Sequence, residues 1–226
     1  MAKKKFYVVK NGKVPGIYDN WPDCQAQVNG FSGAIYKSFS TIEDAEAFLN
    51  DTPIKENKPD GMIAYVDGSY NEGINTCGFG VYIEDDSAKY VFYGKFTQTD
   101  GGRNVEGEVM AGLVAAKFAH TLKKPITIYH DYQGIGSWAR GEWQRNKTYT
   151  KSYYADIQNM IKEGLNVNFI HVDGHSNVRG NEYVDRLAKY ACGVPLSESD
   201  MSVLLNEVMS NDTAILREIT DMTEFI

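Results

Sequence analysis

Cysteine is scarce in this chain: Cys24, Cys77 and Cys192 are the only three in 226 residues, widely separated and without a C-x-x-C spacing. An odd, dispersed set excludes a disulfide framework and offers no structural zinc site. Long hydrophobic runs are missing as well. No uninterrupted apolar stretch reaches the roughly 18 residues that a membrane span needs. The opening Met1-Ala2-Lys3-Lys4-Lys5 runs straight into FYVV, without the apolar core of a signal peptide. These absences predict a soluble, unexported, cytoplasmic chain in a reducing compartment, with no membrane partner. Positive charge is also in deficit, with 23 Lys and Arg against 30 Asp and Glu and a formal net charge of −7. That balance counts against a polyanionic partner globally, because phosphate binding draws on Lys and Arg. It leaves a local basic or aromatic surface open.

Of the residues present, 42% are hydrophobic, enough for one good core or for an ordinary core plus a small module. The pattern favours the second arrangement. Residues 1–50 read as a small α+β domain with two strands, KKFYVVKNG and AIYKSF, and two short helices. Pro22 stands where the first helix starts and Asn29-Gly30 where it stops. Ser40 with Glu43 forms a capping box for the second. Phe6, Phe31, Phe39 and Phe48 are its expected core. Residues 51–60, DTPIKENKPD, are charged, contain two prolines and lack periodicity, which marks a linker.

A second domain, residues 61–195, opens with three strands, MIAYVDG, CGFGVYIED and KYVFYGKF. Strands then alternate with helices, a pattern that indicates a mixed sheet with helices packed on it. The helix VEGEVMAGLVAAKFAHTL places Val109, Leu113, Ala116 and His120 at helical spacing. Residues 196–226 form an extension whose amphipathic segments VLLNEVM and AILREI suit packing on the body or on a partner.

Four carboxylates stand where the pattern does not require them. Asp67 ends the first strand of the second domain, Glu108 lies early in the long helix, Asp131 ends ITIYH, and Asp185 lies inside the last helix of that domain. Each alone has an ordinary explanation, since strand-end Asp residues close turns and helical Glu residues face water. Together they could meet at one crevice, where strand ends of an open sheet converge. Clustered carboxylates repel unless a cation neutralises them. Oxygen-only ligands suit Mg²⁺ or Mn²⁺, and a pair of such ions can clamp both oxygens of a phosphoryl displacement.

The segments YVDGS, RNVEGEVMAGLVAA, YHDYQGI and GHSNVRGNEYVDRLA carry these residues in order, and with them residues 62–193 resemble the type 1 ribonuclease H family. The resemblance implies a ribonuclease H-like α/β fold with a five-stranded mixed sheet and helices. It implies endonucleolytic hydrolysis of the RNA strand of RNA–DNA hybrids with two Mg²⁺ ions, Mn²⁺ being the substitute, leaving 5′-phosphate and 3′-hydroxyl ends. Carried over by position, Asp67, Glu108, Asp131 and Asp185 are the metal-binding catalytic set. His175 and Glu182 assist product release, and Asn104 and Asn181 contact nucleic acid. Glu106 competes for the place of Glu108, but the run VMAGLVA after Glu108 fits the resemblance only in that register, and Glu106, about half a turn away, should point elsewhere.

The basic projection of some relatives is thin here, in SWARGEWQRNKTYTK. The first domain, with its GIY, W, C, Q, V, GF and AIYKSF positions, is similar along nearly its whole length to the hybrid-binding, or viroplasmin-type, domain found ahead of many such enzymes. That similarity implies Tyr7, Trp21, Tyr36 and Lys37 as contacts to RNA–DNA hybrid, with double-stranded RNA as a further ligand. Ser38 and Asp173 stand where relatives often carry lysine. The alternative to an enzyme is a non-catalytic binder of hybrid or double-stranded RNA on the same fold. A third reading is a nuclease with another substrate.

Overall fold

The computed structural model describes residues 5–39, 41–50, 61–172, 179–209 and 214–219. The chain divides into two compact units, Met1–Lys58 and Pro59–Ile226. The linker expected over 51–60, Ser40 of the capping box, Asp173 and His175 lie outside the described residues.

The first unit runs β1 (Phe6–Asn11), β2 (Gly16–Tyr18), α1 (Trp21–Val28), β3 (Ile35–Phe39) and α2 (Ile42–Leu49). Its antiparallel sheet has the order β2-β1-β3, one strand more than the sequence predicts, because three residues are too few for an alternation to show. The side chain of Asn20 accepts from the backbone N–H of Asp23 at 3.0 Å and caps α1 just before Pro22. Val8 and Val9 are both fully buried. Adjacent strand residues point to opposite faces, so both faces of this sheet are covered. The interior is correspondingly thin. Val8, Val9, Cys24 and Ala45 fill it, whereas Phe6, Phe31, Phe39 and Phe48 are only half-buried. Phe39 and Phe48 instead meet each other, with ring centroids 5.2 Å apart.

The second unit runs β4 (Met62–Asn71), a 3₁₀ turn (Glu72–Ile74), β5 (Thr76–Glu84), β6 (Lys89–Thr97), α3 (Asn104–Leu122), β7 (Ile126–His130), α4 (Gly134–Ala139), α5 (Thr148–Lys162), β8 (Val167–His171), α6 (Arg179–Ala191), α7 (Glu198–Met209) and β9 (Ala214–Ile219). Among the described residues the sheet has six strands in the order β8-β7-β4-β5-β6-β9, the five expected within residues 61–195 and one from beyond them. β4, β5 and β6 are antiparallel, β7 and β8 run parallel to β4, and β9 runs parallel to β6. The sixth strand is the AILREI segment of the C-terminal extension, which covers the edge that β6 would otherwise leave unpaired.

Two pairs of glycines set how closely helices approach this sheet. A Cβ on Gly68 of β4 would fall on the backbone of Asn104, Gly107 and Glu108, and one on Gly107 would fall on the carbonyl of Gly78. On the α6 side, Gly78 and Gly80 of β5 leave room for the carbonyls of Ala188 and Val184. Val109, Leu113 and Ala116 of α3 enter the core as expected. His120, at the same spacing, leaves it and meets Glu163 Oε2 at 3.2 Å.

Candidate active site

The sequence places Asp67 at a strand end, but β4 runs on to Asn71, and Asp67-Gly68 sits within it opposite Gly80 and Phe79 of β5; its neighbours give the reason. The missing side chain of Gly68 lets the first turns of α3 lie against β4, which brings Glu108 to Asp67. β4 and β7 are parallel in the register Tyr65↔Tyr129, so two residues further along each strand Asp67 and Asp131 come level. Asp67, Glu108 and Asp131 each offer an oxygen within 4.8 Å of the others'.

Asp67 and Glu108 are buried. Their carboxyls are hydrogen-bonded to each other, and Asp67 Oδ1 also accepts the Gly68 N–H at 2.7 Å. Burial, then the charges of Asp131 and Asp185, push the Asp67 carboxyl up to about 7. Burial, then the charge of Asp67, holds Glu108 well above the ordinary range. Glu108 Oε2 is buried without a hydrogen-bond partner among the described residues. An orphaned carboxylate oxygen beside two further carboxylates, with no sulfur or nitrogen donor in the group, fits a hard divalent cation.

Asp185 does not join this group of three. It is close enough to act on Asp67 electrostatically, while its own Oδ2 is paired with Lys189 Nζ at 2.7 Å, one turn along α6. Asn181, one turn before Asp185, is buried. Its Nδ2 reaches Asp131 Oδ2 at 3.5 Å, and its Oδ1 lacks a partner among the described residues. Glu182 lies 3.8 Å from the guanidinium of Arg186. Asn104 is the exposed first residue of α3, one turn ahead of Glu108 and on the same helix face.

Glu106 points away from the carboxylate group, as half a turn requires. Its Oε2 accepts from the N–H and hydroxyl of Thr99 and its Oε1 from the N–H groups of Asp100 and Gly102, all at 2.8–2.9 Å. Burial acts to raise this carboxyl, but those bonds outweigh it and hold the group below its ordinary range. Next to this loop Arg103 has φ 52° and ψ −129°, a conformation that costs a non-glycine residue about 1–3 kcal/mol. Sequence reasoning gave neither Glu106 nor Asp100 a role. The turn-rich run TDGG before α3 was the available signal.

The thin basic segment between α4 and α5 contains no helix. Arg140 is paired with Glu142 at 2.8 Å, Arg145 lies over the Tyr154 ring at 4.1 Å, and Lys147 donates to the Asp100 carbonyl at 2.8 Å. In the first unit Trp21 stands between Tyr7 and Tyr36, with ring centroids 5.8 and 5.7 Å away. Trp21 and Tyr36 are 37% and 48% exposed, which makes an aromatic platform open to solvent. Lys37 is not part of it. The register Val8↔Lys37 and Val9↔Tyr36 places Lys37 on the opposite face, 5.6 Å from the Phe39 ring centroid.

Comparison with known proteins agrees with this architecture. Residues 59–193 match the family model described as RNase H, and residues 5–49 match the one described as Ribonuclease H1 N-terminal domain. The first of these spans more than half of the chain, which therefore belongs to the RNase H family. "Ribonuclease H" of Crithidia fasciculata is 51% identical over 53 residues, 24% of this chain and 11% of that protein. "Ribonuclease H" of Saccharomyces cerevisiae is 48% identical over 50 residues, and the match spans 14% of its length. Human "Ribonuclease H1" is 24% identical over 259 residues, covering 81% of this chain and 88% of that protein. Among solved structures, the prototype foamy virus protease-reverse transcriptase shares the fold with TM-score 0.50 and 19% identity, over 64% of this chain and 22% of that one.

Proposed function

We propose that this chain is an endoribonuclease that hydrolyses the RNA strand of RNA–DNA hybrids, leaving 5′-phosphate and 3′-hydroxyl ends. The observation that carries the reading is the meeting of Asp67, Glu108 and Asp131, from three separate elements, within 4.8 Å of one another. Membership of the RNase H family and the likeness to human "Ribonuclease H1" support it.

In this reading Asp67, Glu108 and Asp131 hold divalent cations, Mg²⁺ or in its place Mn²⁺, with Asp185 joining them once Lys189 releases it. A pair of such ions, when bound, supplies positive charge to the scissile phosphate and to its entering and leaving oxygens. The protein's own groups do the rest. Asn181 fixes the orientation of Asp131 through its amide. Asn104 and Asn181, each both donor and acceptor, suit a ribose 2′-hydroxyl, the group that distinguishes RNA from DNA. Glu182 and His175 assist release of the cleaved strand in this reading, an imidazole being able to pass a proton to a departing group. Tyr7, Trp21 and Tyr36 of the first unit pack on sugars and bases, and double-stranded RNA is a second ligand for that surface.

The test is to incubate the full chain with end-labelled RNA–DNA hybrid, with and without Mg²⁺, beside duplex RNA and duplex DNA as competitors. Mg²⁺-dependent scission of the RNA strand alone is the expected result. Binding without scission would convert the reading to a non-cleaving hybrid binder.

A further inference from the structure

The loop 98–103 joins β6 to α3 and ends on the strained Arg103. Four of its backbone N–H groups are held by side chains. Glu106 takes those of Thr99, Asp100 and Gly102, and Gln98 Oε1 accepts the one of Arg103 at 3.3 Å. The far side of the loop is tied down as well. Asp100 Oδ2 accepts the Thr148 N–H at the start of α5 at 2.7 Å, and its carbonyl accepts Lys147 Nζ at 2.8 Å. Gly102 is packed so tightly that a Cβ there would touch Glu106 Cγ and the Tyr149 hydroxyl, both at 2.7 Å.

Such a frame exceeds what ending a strand requires. Arg103 makes no side-chain cap for α3, so the entry of this helix is set by the loop rather than by a capping residue. A buried carboxylate two residues from Glu108 also adds negative charge where a polyanion must arrive, a cost that the four donors around Glu106 offset locally. A strained residue held from several sides beside a reactive cluster is the pattern of a pre-organised site.

We propose that Glu106 is a positioning residue for the hybrid. Resting on the functional reading above, it fixes the Arg103 backbone and thereby aims the Asn104 amide and the first turn of α3 at the strand to be cut. Glu106 touches neither substrate nor metal in this role.

The experiment measures KM and kcat for hybrid cleavage by the full chain and by Glu106→Gln, Asn104→Ala and the double variant, with melting followed in parallel. Loss of one charged acceptor in the loop raises KM about tenfold in Glu106→Gln, with kcat within about twofold. In the Asn104→Ala background the same change has no further effect, because the group it aims is gone. A purely architectural Glu106 would lower the melting temperature and leave KM unchanged, or would raise KM by the same factor in both backgrounds; either result overturns the assignment. Asp100→Asn loosens the same loop from its α5 anchor without altering Glu106, and the same coupling to Asn104 is expected. Should Glu106→Gln not fold, an unchanged KM in Asp100→Asn refutes the proposal. Wild-type chain that leaves the hybrid intact in Mg²⁺ sinks the functional reading and this one with it. Cleavage by wild type with KM unmoved in the variants sinks this one alone.

Discussion

The backbone amide of Glu108 occupies the space in which a side chain at Gly68 would lie. The carboxylate group therefore depends on a residue that carries no chemistry of its own. Gly68→Ala must push α3 away from β4, and because the obstructing atoms are backbone, relaxation is limited. The expected cost is about 3 kcal/mol, read as a lower urea midpoint. Cleavage should fall further than stability, since Glu108 moves with the helix.

Asp67 carries a pH signature. Its folded carboxyl stands at about 7 against an ordinary value of 3.8, chiefly through burial. Between those values the native state holds a proton that the unfolded chain has lost. The stability this group contributes is therefore fully present below about pH 4 and is lost as pH rises through 7. Asp67→Asn removes the titration. In chelator the variant should be more stable than wild type at pH 8, by up to about 4 kcal/mol at roughly 1.4 kcal/mol per pH unit, and the difference should vanish toward pH 4. Adding Mg²⁺ should stabilise wild type and not the variant. Thermal melts across pH, with and without the metal, check the sign.

The aromatic platform predicts a ranking among hybrid contacts. Removing one stacked ring costs about 1–3 kcal/mol, so Trp21→Ala and Tyr36→Ala should each weaken hybrid binding at least about fivefold. Lys37 faces the other side of β3, so Lys37→Ala should cost less than either. Fluorescence anisotropy at fixed salt gives the order directly.

β9 predicts that the extension supports the catalytic unit. Ile219 is buried in the same core as Val81 and Phe92. Ile219→Ala should destabilise by about 2 kcal/mol, measured by urea unfolding, while leaving hybrid affinity in place.

What the sequence revealed and what it hid follow from how local each signal is. Asp67 and Asp131 were legible because each follows an apolar run, Asp67 within β4 and Asp131 just past β7, and their level placement follows from a parallel register that a mixed sheet makes natural. Glu108 could be preferred over Glu106 because the small and apolar run after it fits the family resemblance only in that register, and half a turn then turns Glu106 away. β9 was not legible as a strand: six residues of AILREI fit a short helix as well as an edge strand, and only pairing with β6 decides. The face of Lys37 depends on its antiparallel register with β1, which shifts between Val9 and Asn11, and no composition records that. Asp185 is paired with Lys189 one turn along α6 instead of joining the other three carboxylates, and that pairing was not legible as a competitor in the sequence.

Single-turnover cleavage of an RNA–DNA hybrid by Asp131→Asn in Mg²⁺, with hybrid affinity measured alongside, tests the central claim most directly. The account predicts a rate reduced by about a thousandfold or more with affinity within a few-fold of wild type. An Asp131→Asn chain that still cuts the RNA strand at the wild-type rate would contradict it.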